Sequence, residues 1–216
     1  MPSSEEADRY AALRRRMVDR DLRARGISDA RVLDAMVRVP RHEFVPMPYR
    51  DQAYEDHPLP IGDGQTISQP YIVAIMLEAL QLDPADEVLE VGTGSGYVTA
   101  LLAELTAQVL SVERHAALAE SALEVLASLG YSNVRIVVAD GSQGFPECAP
   151  YDAIMVSAAA LTIPQALLDQ LGDSGRMIIP VGAADAQQLQ LVRMHSGEPQ
   201  ISLREPCRFV PLISSE

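Results

Sequence analysis

Lysine is absent from this sequence: all 17 basic residues are arginine. That absence excludes chemistry built on an ε-amine, namely a Schiff base, a pyridoxal phosphate anchor and the phosphate-binding lysine of a P-loop. Cysteine is nearly absent too. Cys148 and Cys207 have neither metal-ligand nor disulfide-framework spacing, so they read as free thiols and no metal is expected. No apolar run approaches the length of a membrane span, and the N-terminus carries Glu5, Glu6, Asp8 and an arginine run where a secretory signal needs an apolar core. The expectation is a cytoplasmic protein with no membrane partner.

Charge is unevenly spread. Eleven arginines and eight acids lie within residues 1–50, a local net of +3, which leaves six arginines against 22 acids, or −16, for the remainder. So acidic a body repels nucleic acid, and the N-terminal arginines at helical spacing read as a solvated face. With 48% hydrophobic residues in 216, the chain holds enough apolar surface for one compact domain, and a monomer is expected.

From about Glu5 to Arg25 the pattern is an amphipathic helix with Tyr10, Leu13, Met17 and Leu22 near one side and Gly26 as a stop; a second helix is expected from Asp29 to Arg38. Residues 39–67, broken by Pro40, Pro46, Pro48, Pro58, Pro60, Gly62 and Gly64, read as a long functional loop without regular elements. After Pro70 a helix runs to Leu80. An α/β alternation follows: strand 87–91, helix 96–105, strand 108–112, helix 115–129, strand 134–138 and strand 152–156. A helix near 163–171 and an antiparallel pair near 176–180 and 187–194 come next, with one more strand expected within Cys207 to Ile213. This predicts a doubly wound, mostly parallel Rossmann-like sheet covered by helices. Residues 1–80 form helices and a lid packed on an 81–216 core, with no internal repeat.

The stretch Glu90-Val91-Gly92-Thr93-Gly94-Ser95-Gly96 ends the first core strand. It reads as a buried strand, a tight turn that admits a ligand to the backbone, and a helix N-terminus. Tyr97 replaces the sixth-position glycine of the dinucleotide fingerprint. The motif instead resembles the first motif of S-adenosylmethionine-dependent methyltransferases. Three strands end in acids: Glu90, Glu113 and Asp140, the last followed by Gly141. Glu113 lies 21 residues after Gly92, the offset at which a carboxylate accepts both ribose hydroxyls, and Asp140 is placed for the adenine amino group.

A second set of blocks is more specific. Val39-Pro40-Arg41-His42, Phe44-Val45-Pro46, Ala53-Tyr54-Glu55-Asp56, Leu59-Pro60-Ile61-Gly62, Gln65-Thr66-Ile67-Ser68-Gln69-Pro70 and Arg208-Phe209-Val210-Pro211-Leu212 occur in this order. Together with the glycine motif they resemble the protein-L-isoaspartate (D-aspartate) O-methyltransferases from about Met17 to Leu212. The resemblance implies methyl transfer from S-adenosylmethionine to the α-carboxylate of L-isoaspartyl, and less well D-aspartyl, residues in damaged proteins or peptides, initiating repair through a succinimide. It makes Ser68 the active-site residue. It also puts Gln65, Thr66, Ile67, Ser68, Glu90, Gly92 to Gly96, Glu113-Arg114 and Asp140-Gly141 on cofactor-contacting positions. Asp56 and Val210-Pro211-Leu212 are assigned, with Ser68, to the substrate side. Val98 stands where the family commonly has glutamine, and Asp173-Ser174-Gly175 replaces a more usual Gly-Gly.

The chemistry is economical. A carboxylate with pKa near 4 is ionised at neutral pH, so its oxygen attacks an activated methyl without a general base. What the protein supplies is alignment and exclusion of water. Ser68 is therefore a positioning donor, with helix capping before Pro70 as its other role. His42 and His57 need move no proton and read as packed or exposed histidines. A same-fold enzyme acting on another carboxylate and a non-catalytic binding module are the alternatives.

Overall fold

The computed structural model describes residues 4–214. Its centre is a seven-stranded sheet in the order β5-β4-β3-β6-β7-β8-β9. The strands are β3 (Glu87–Val91), β4 (Gln108–Glu113), β5 (Val134–Val138), β6 (Tyr151–Val156), β7 (Leu171–Ala183), β8 (Ala186–His195) and β9 (Glu198–Cys207). The first five pair in parallel and the β7-β8-β9 ribbon is antiparallel. Strand alternation sorts the core into two layers. Val88, Ala153, Met155 and Ile178 face the cluster that contains the N-terminal helices, α3 (Pro70–Leu80) and α4 (Tyr97–Leu105); Leu89, Ile154, Val156, Met177 and Ile179 face a second, with Leu167 of the short α6 (Gln165–Leu168).

Several expectations change in detail. The N-terminal helix is α1 (Ser4–Met17), which widens over Val18–Leu22 and tightens over Arg23–Arg25. The tightening is a Schellman stop: Ile27 N donates to Leu22 O and Gly26 N to Arg23 O, with Gly26 at φ 101°. In α2 (Ala30–Arg38), Asp29 caps the amides of Arg31 and Val32. The helix expected near 163–171 shrinks to α6 because the chain enters β7 at Leu171, where the register with β6 breaks between Tyr151 and Ala153. The final strand is β9, ahead of the expected 207–213. Gln187 of β8 binds the Phe209 amide and carbonyl through its side chain, and Pro206 and Pro211 offer no ladder donor, so the chain leaves the sheet there.

Residues 39–67 are not without regular structure. Short helical turns at Arg41–Phe44 and Met47–Gln52 precede a hairpin of β1 (Leu59–Gly62) and β2 (Gln65–Ile67). Asp63 and Gly64, at φ 48° and 70°, form its two-residue turn, the positive-φ pair that suits strand twist. No helix of the described residues is long and apolar enough to cross a membrane.

One partly buried cation, paired with a buried carboxylate, locks the sheet to the helical layer. Arg176 of β7 pairs with Asp86 and donates to the carbonyls of Leu80, Gln81 and Asp152. Removing one partner of a buried pair strands the other charge. Arg176→Met should therefore cost about 3 kcal/mol of unfolding free energy, read as a lower urea midpoint with an unchanged slope.

Candidate active site

The carboxyl ends of β3, β4 and β6 open into a cleft at the point where the chain switches sides of the sheet. β3 lies between β4 and β6; its following helix α4 packs in one layer and the β6 connection leads to α6 in the other. Gly92 N donates to Val112 O, and Ser157 N to Val91 O, just before the strands part. The glycine turn then rises over the opening. Gly96 begins α4 at φ 85°, and a Cβ there would lie 3.1 Å from Ala122 Cβ in α5 (Ala116–Ser128), so only glycine meets both demands.

Glu113 secures this turn from the neighbouring strand. One carboxylate oxygen accepts from Gly94 N and the other from His115 N, each at 2.9 Å. Ionised oxygens carry further lone pairs, so the side chain retains acceptor capacity toward the cleft it lines. Gln65, Thr66, Ile67 and Ser68 close the opposite wall; Gly92, Thr93, Gly94, Ser95, Arg114, Gly141, Val210, Pro211 and Leu212 complete the predicted residues found on the lining. Val98, the departure from the family pattern, lies there as well.

Three sequence-predicted cofactor contacts lie off this lining. Gly96 packs against α5, as above. Asp140 accepts from the Ser142 amide and hydroxyl and so caps the turn that follows it, leaving Gly141 on the wall; a Cβ on Gly141 would meet Val91 Cγ1 at 2.6 Å. Glu90 is fully buried beneath the glycine turn. It shares strand parity with Val88, so its carboxyl enters the helical layer, where Thr99 and Ser111 donate to it at 2.5 and 2.6 Å. Burial pushes this carboxyl up to about 8, the two hydroxyls pull it down, and the Glu113 charge adds to the rise. Glu90 reaches the cleft indirectly, because Ser111 Oγ also lies 2.5 Å from Thr93 Oγ1.

A second cleft joins the first. Thr66, Ser68, Ser157 and Val210 line both, while Pro58, Ile72, Pro206 and Phe209 give the second apolar walls and Arg208 its rim charge. At the junction the half-buried Ser68 takes no side-chain hydrogen bond among the described residues, although its carbonyl accepts from Arg41. The capping alternative for Ser68 fails because Asp56 serves the helix: Asp56 accepts from Tyr71 N and Gln69 and pairs with Arg25. With those bonds made, Asp56 lines neither cleft. The 210–212 backbone is partly engaged too, since Ala159 N donates to Val210 O and Leu212 N to Ala159 O.

His42 stacks on Tyr10 and meets the Tyr54 hydroxyl, burial lowering its pKa; His57 is exposed beside Glu55. Both thiols are free. Sequence reasoning missed Ser157, although the rule of inspecting strand ends, applied to β6, identifies it.

A family model described as protein-L-isoaspartate(D-aspartate) O-methyltransferase matches residues 13–216. A protein-L-isoaspartate O-methyltransferase of Koribacter versatilis is 53% identical over 216 residues, covering all of this chain and 97% of its own. One from Methanoculleus marisnigri is 55% identical over 209 residues, with coverage of 96% and 94%. A Plasmodium falciparum protein-L-isoaspartate O-methyltransferase solved with S-adenosyl-L-homocysteine superposes with a TM-score of 0.82 at 28% identity, covering 93% of this chain and 98% of that one.

The Glu90 carboxyl sets a pH dependence of stability. Its folded pKa of about 8 lies above the ordinary 4.5, so the native state holds an extra proton between these values and loses stability as pH rises through that window. Glu90→Gln abolishes the penalty. Its unfolding free energy should gain on the parent by about 1 kcal/mol per pH unit from pH 5 to 8, measured by urea unfolding; parallel profiles would show that Glu90 is ionised throughout.

Proposed function

The chain belongs to the protein-L-isoaspartate(D-aspartate) O-methyltransferase family, and from that premise we propose how its own residues carry methyl transfer to the α-carboxylate of isoaspartyl residues in damaged proteins. The observation that supports this assignment is the junction of two clefts at Ser68, one walled by the glycine turn and the other open to an extended chain.

S-adenosylmethionine, when bound, supplies an electrophilic methyl group on a sulfonium. The first cleft fits such a molecule: Gly92 and Gly94 leave its wall bare of side chains, and Glu113 keeps acceptor capacity for ribose hydroxyls. The backbone of 65–68 and 92–95, with Arg114 and Gly141, holds the remainder. The second cleft takes the peptide, whose apolar parts lie against Ile72, Pro206 and Phe209. The Ser68 hydroxyl, without a hydrogen-bond partner among the described residues, donates to one carboxylate oxygen and turns the other toward the first cleft. No protein base is needed, since the carboxylate is ionised at neutral pH. Burial holds His42 neutral, and it lies on neither cleft.

Recognition then rests on the carboxylate and main chain, with residues 1–80 supplying the lid over an 81–216 core. The −16 charge beyond residue 50 disfavours nucleic acid, and we take the protein to act as a cytoplasmic monomer.

Two outcomes test this reading. An isoaspartyl peptide should be methylated while its aspartyl twin is left unlabelled; equal labelling rejects repair as the activity. Ser68→Ala should lower kcat by about 10- to 100-fold with the S-adenosylhomocysteine Kd within about twofold, by radiolabel transfer and calorimetry. Unchanged turnover removes Ser68 from the chemistry.

A further inference from the structure

Arg41 is fully buried, at 0% exposure, yet it forms no ion pair among the described residues. Its Nε donates to the Ala53 carbonyl and its Nη2 to the Ser68 carbonyl, each at 2.8 Å. The guanidinium carbon lies 4.8 Å from the centroid of the Tyr97 ring, on the first residue of α4 and on the lining of the first cleft. Nη1 and the Tyr97 hydroxyl are both enclosed and make no well-formed hydrogen bond among the described residues, and the guanidinium and the phenol interact favourably with each other. A buried cation whose hydrogen bonds go to neutral carbonyls, with no carboxylate in direct contact, is expensive for a core to keep. Burial accordingly lowers its pKa to about 10, which still leaves it charged at neutral pH.

The three groups it joins come from separate parts of the chain: the end of the turn at Met47–Gln52, the residue after β2, and the start of α4. Ser68 is the point where both clefts meet, and its side chain has no hydrogen bond among the described residues, so the carbonyl is a polar attachment to the core. A rigid planar fork fixes two carbonyls in one geometry, which a single ammonium on a flexible stem does not.

Resting on the role given to Ser68 above, we infer that Arg41 is a positioning residue for methyl transfer, holding the Ser68 main chain against the Tyr97 end of α4 and placing a buried positive charge behind the carboxylate site. It touches neither reactant. Its effect is on where the Ser68 hydroxyl stands, and a displacement of about 1 Å at a reacting centre reduces rate by on the order of 100-fold.

The test compares the parent with Arg41→Lys, which keeps the charge and loses the fork, and Arg41→Gln, which loses the charge as well. Each is measured for thermal midpoint, S-adenosylhomocysteine Kd, and kcat and KM on an isoaspartyl peptide. The expected result is a fall in kcat of about 10- to 100-fold in both, a peptide KM raised more in R41Q than in R41K, and a cofactor-product Kd within about threefold of the parent. Two results overturn the inference: kcat within about twofold of the parent in the folded variants, or a loss of S-adenosylhomocysteine affinity that matches the loss of kcat. Should R41Q not fold, R41K decides by the same kcat and Kd criteria. A parent that methylates no isoaspartyl peptide overturns the functional reading itself, a result distinct from an active parent with equally active variants.

Discussion

Everything at the site depends on two parallel neighbours, β3 and β6, sending their next segments to opposite layers. While they are paired, Ser157 N still reaches Val91 O; one residue later the backbones diverge and leave an opening that no side chain of the sheet fills. Such an opening in a parallel sheet exposes strand-end amides and carbonyls, which makes it a place for a polar ligand and a poor place for apolar packing. The glycine turn, the 65–68 wall and the Val210 segment are three ways of bordering that gap. The hydrophobic layers above and below hold the borders still.

Polar groups inside the core carry this order one step further. Glu90, Thr99, Ser111 and Thr93 link the middle of β3 to α4, β4 and the glycine turn. A buried acid is tolerated because two hydroxyls meet it and because it is protonated over much of the neutral range. Glu113, two residues beyond Ser111 at the end of β4, is the reverse case. Two amides bind it, one on each oxygen, where the turn needs an acceptor. Two acids close to one another therefore serve different ends, one as a neutral cross-link and one as a charged clasp.

The parallel sheet was readable because its strands are short apolar runs separated by helical periodicity, the pattern that burial on both faces imposes. The strand-end acids were readable from spacing alone. What spacing does not convey is direction: the parity that places Glu90 with Val88 turns its carboxyl away from the cleft. The hairpin escaped notice because Pro58 and Pro60 suggested a loop, although Asp63-Gly64 is itself a strong turn signal. β9 was illegible for another reason. All but its last residue are exposed, so no alternation of apolar and polar side chains marks it. Asp56, inside one of the recognised blocks, also seats a helix, a role that spacing does not convey.

The hairpin carries a consequence of its own. A two-stranded ribbon is marginal by itself, and Ile61 approaches the glycine turn closely enough that a Cβ on Gly94 would lie 3.4 Å from its Cδ1. Filling the cleft adds surface beneath that ribbon, so ligand occupancy and ribbon order are linked quantities, each raising the other by the same free energy. Heat tolerance thus depends on the concentration of methyl donor as well as on the chain.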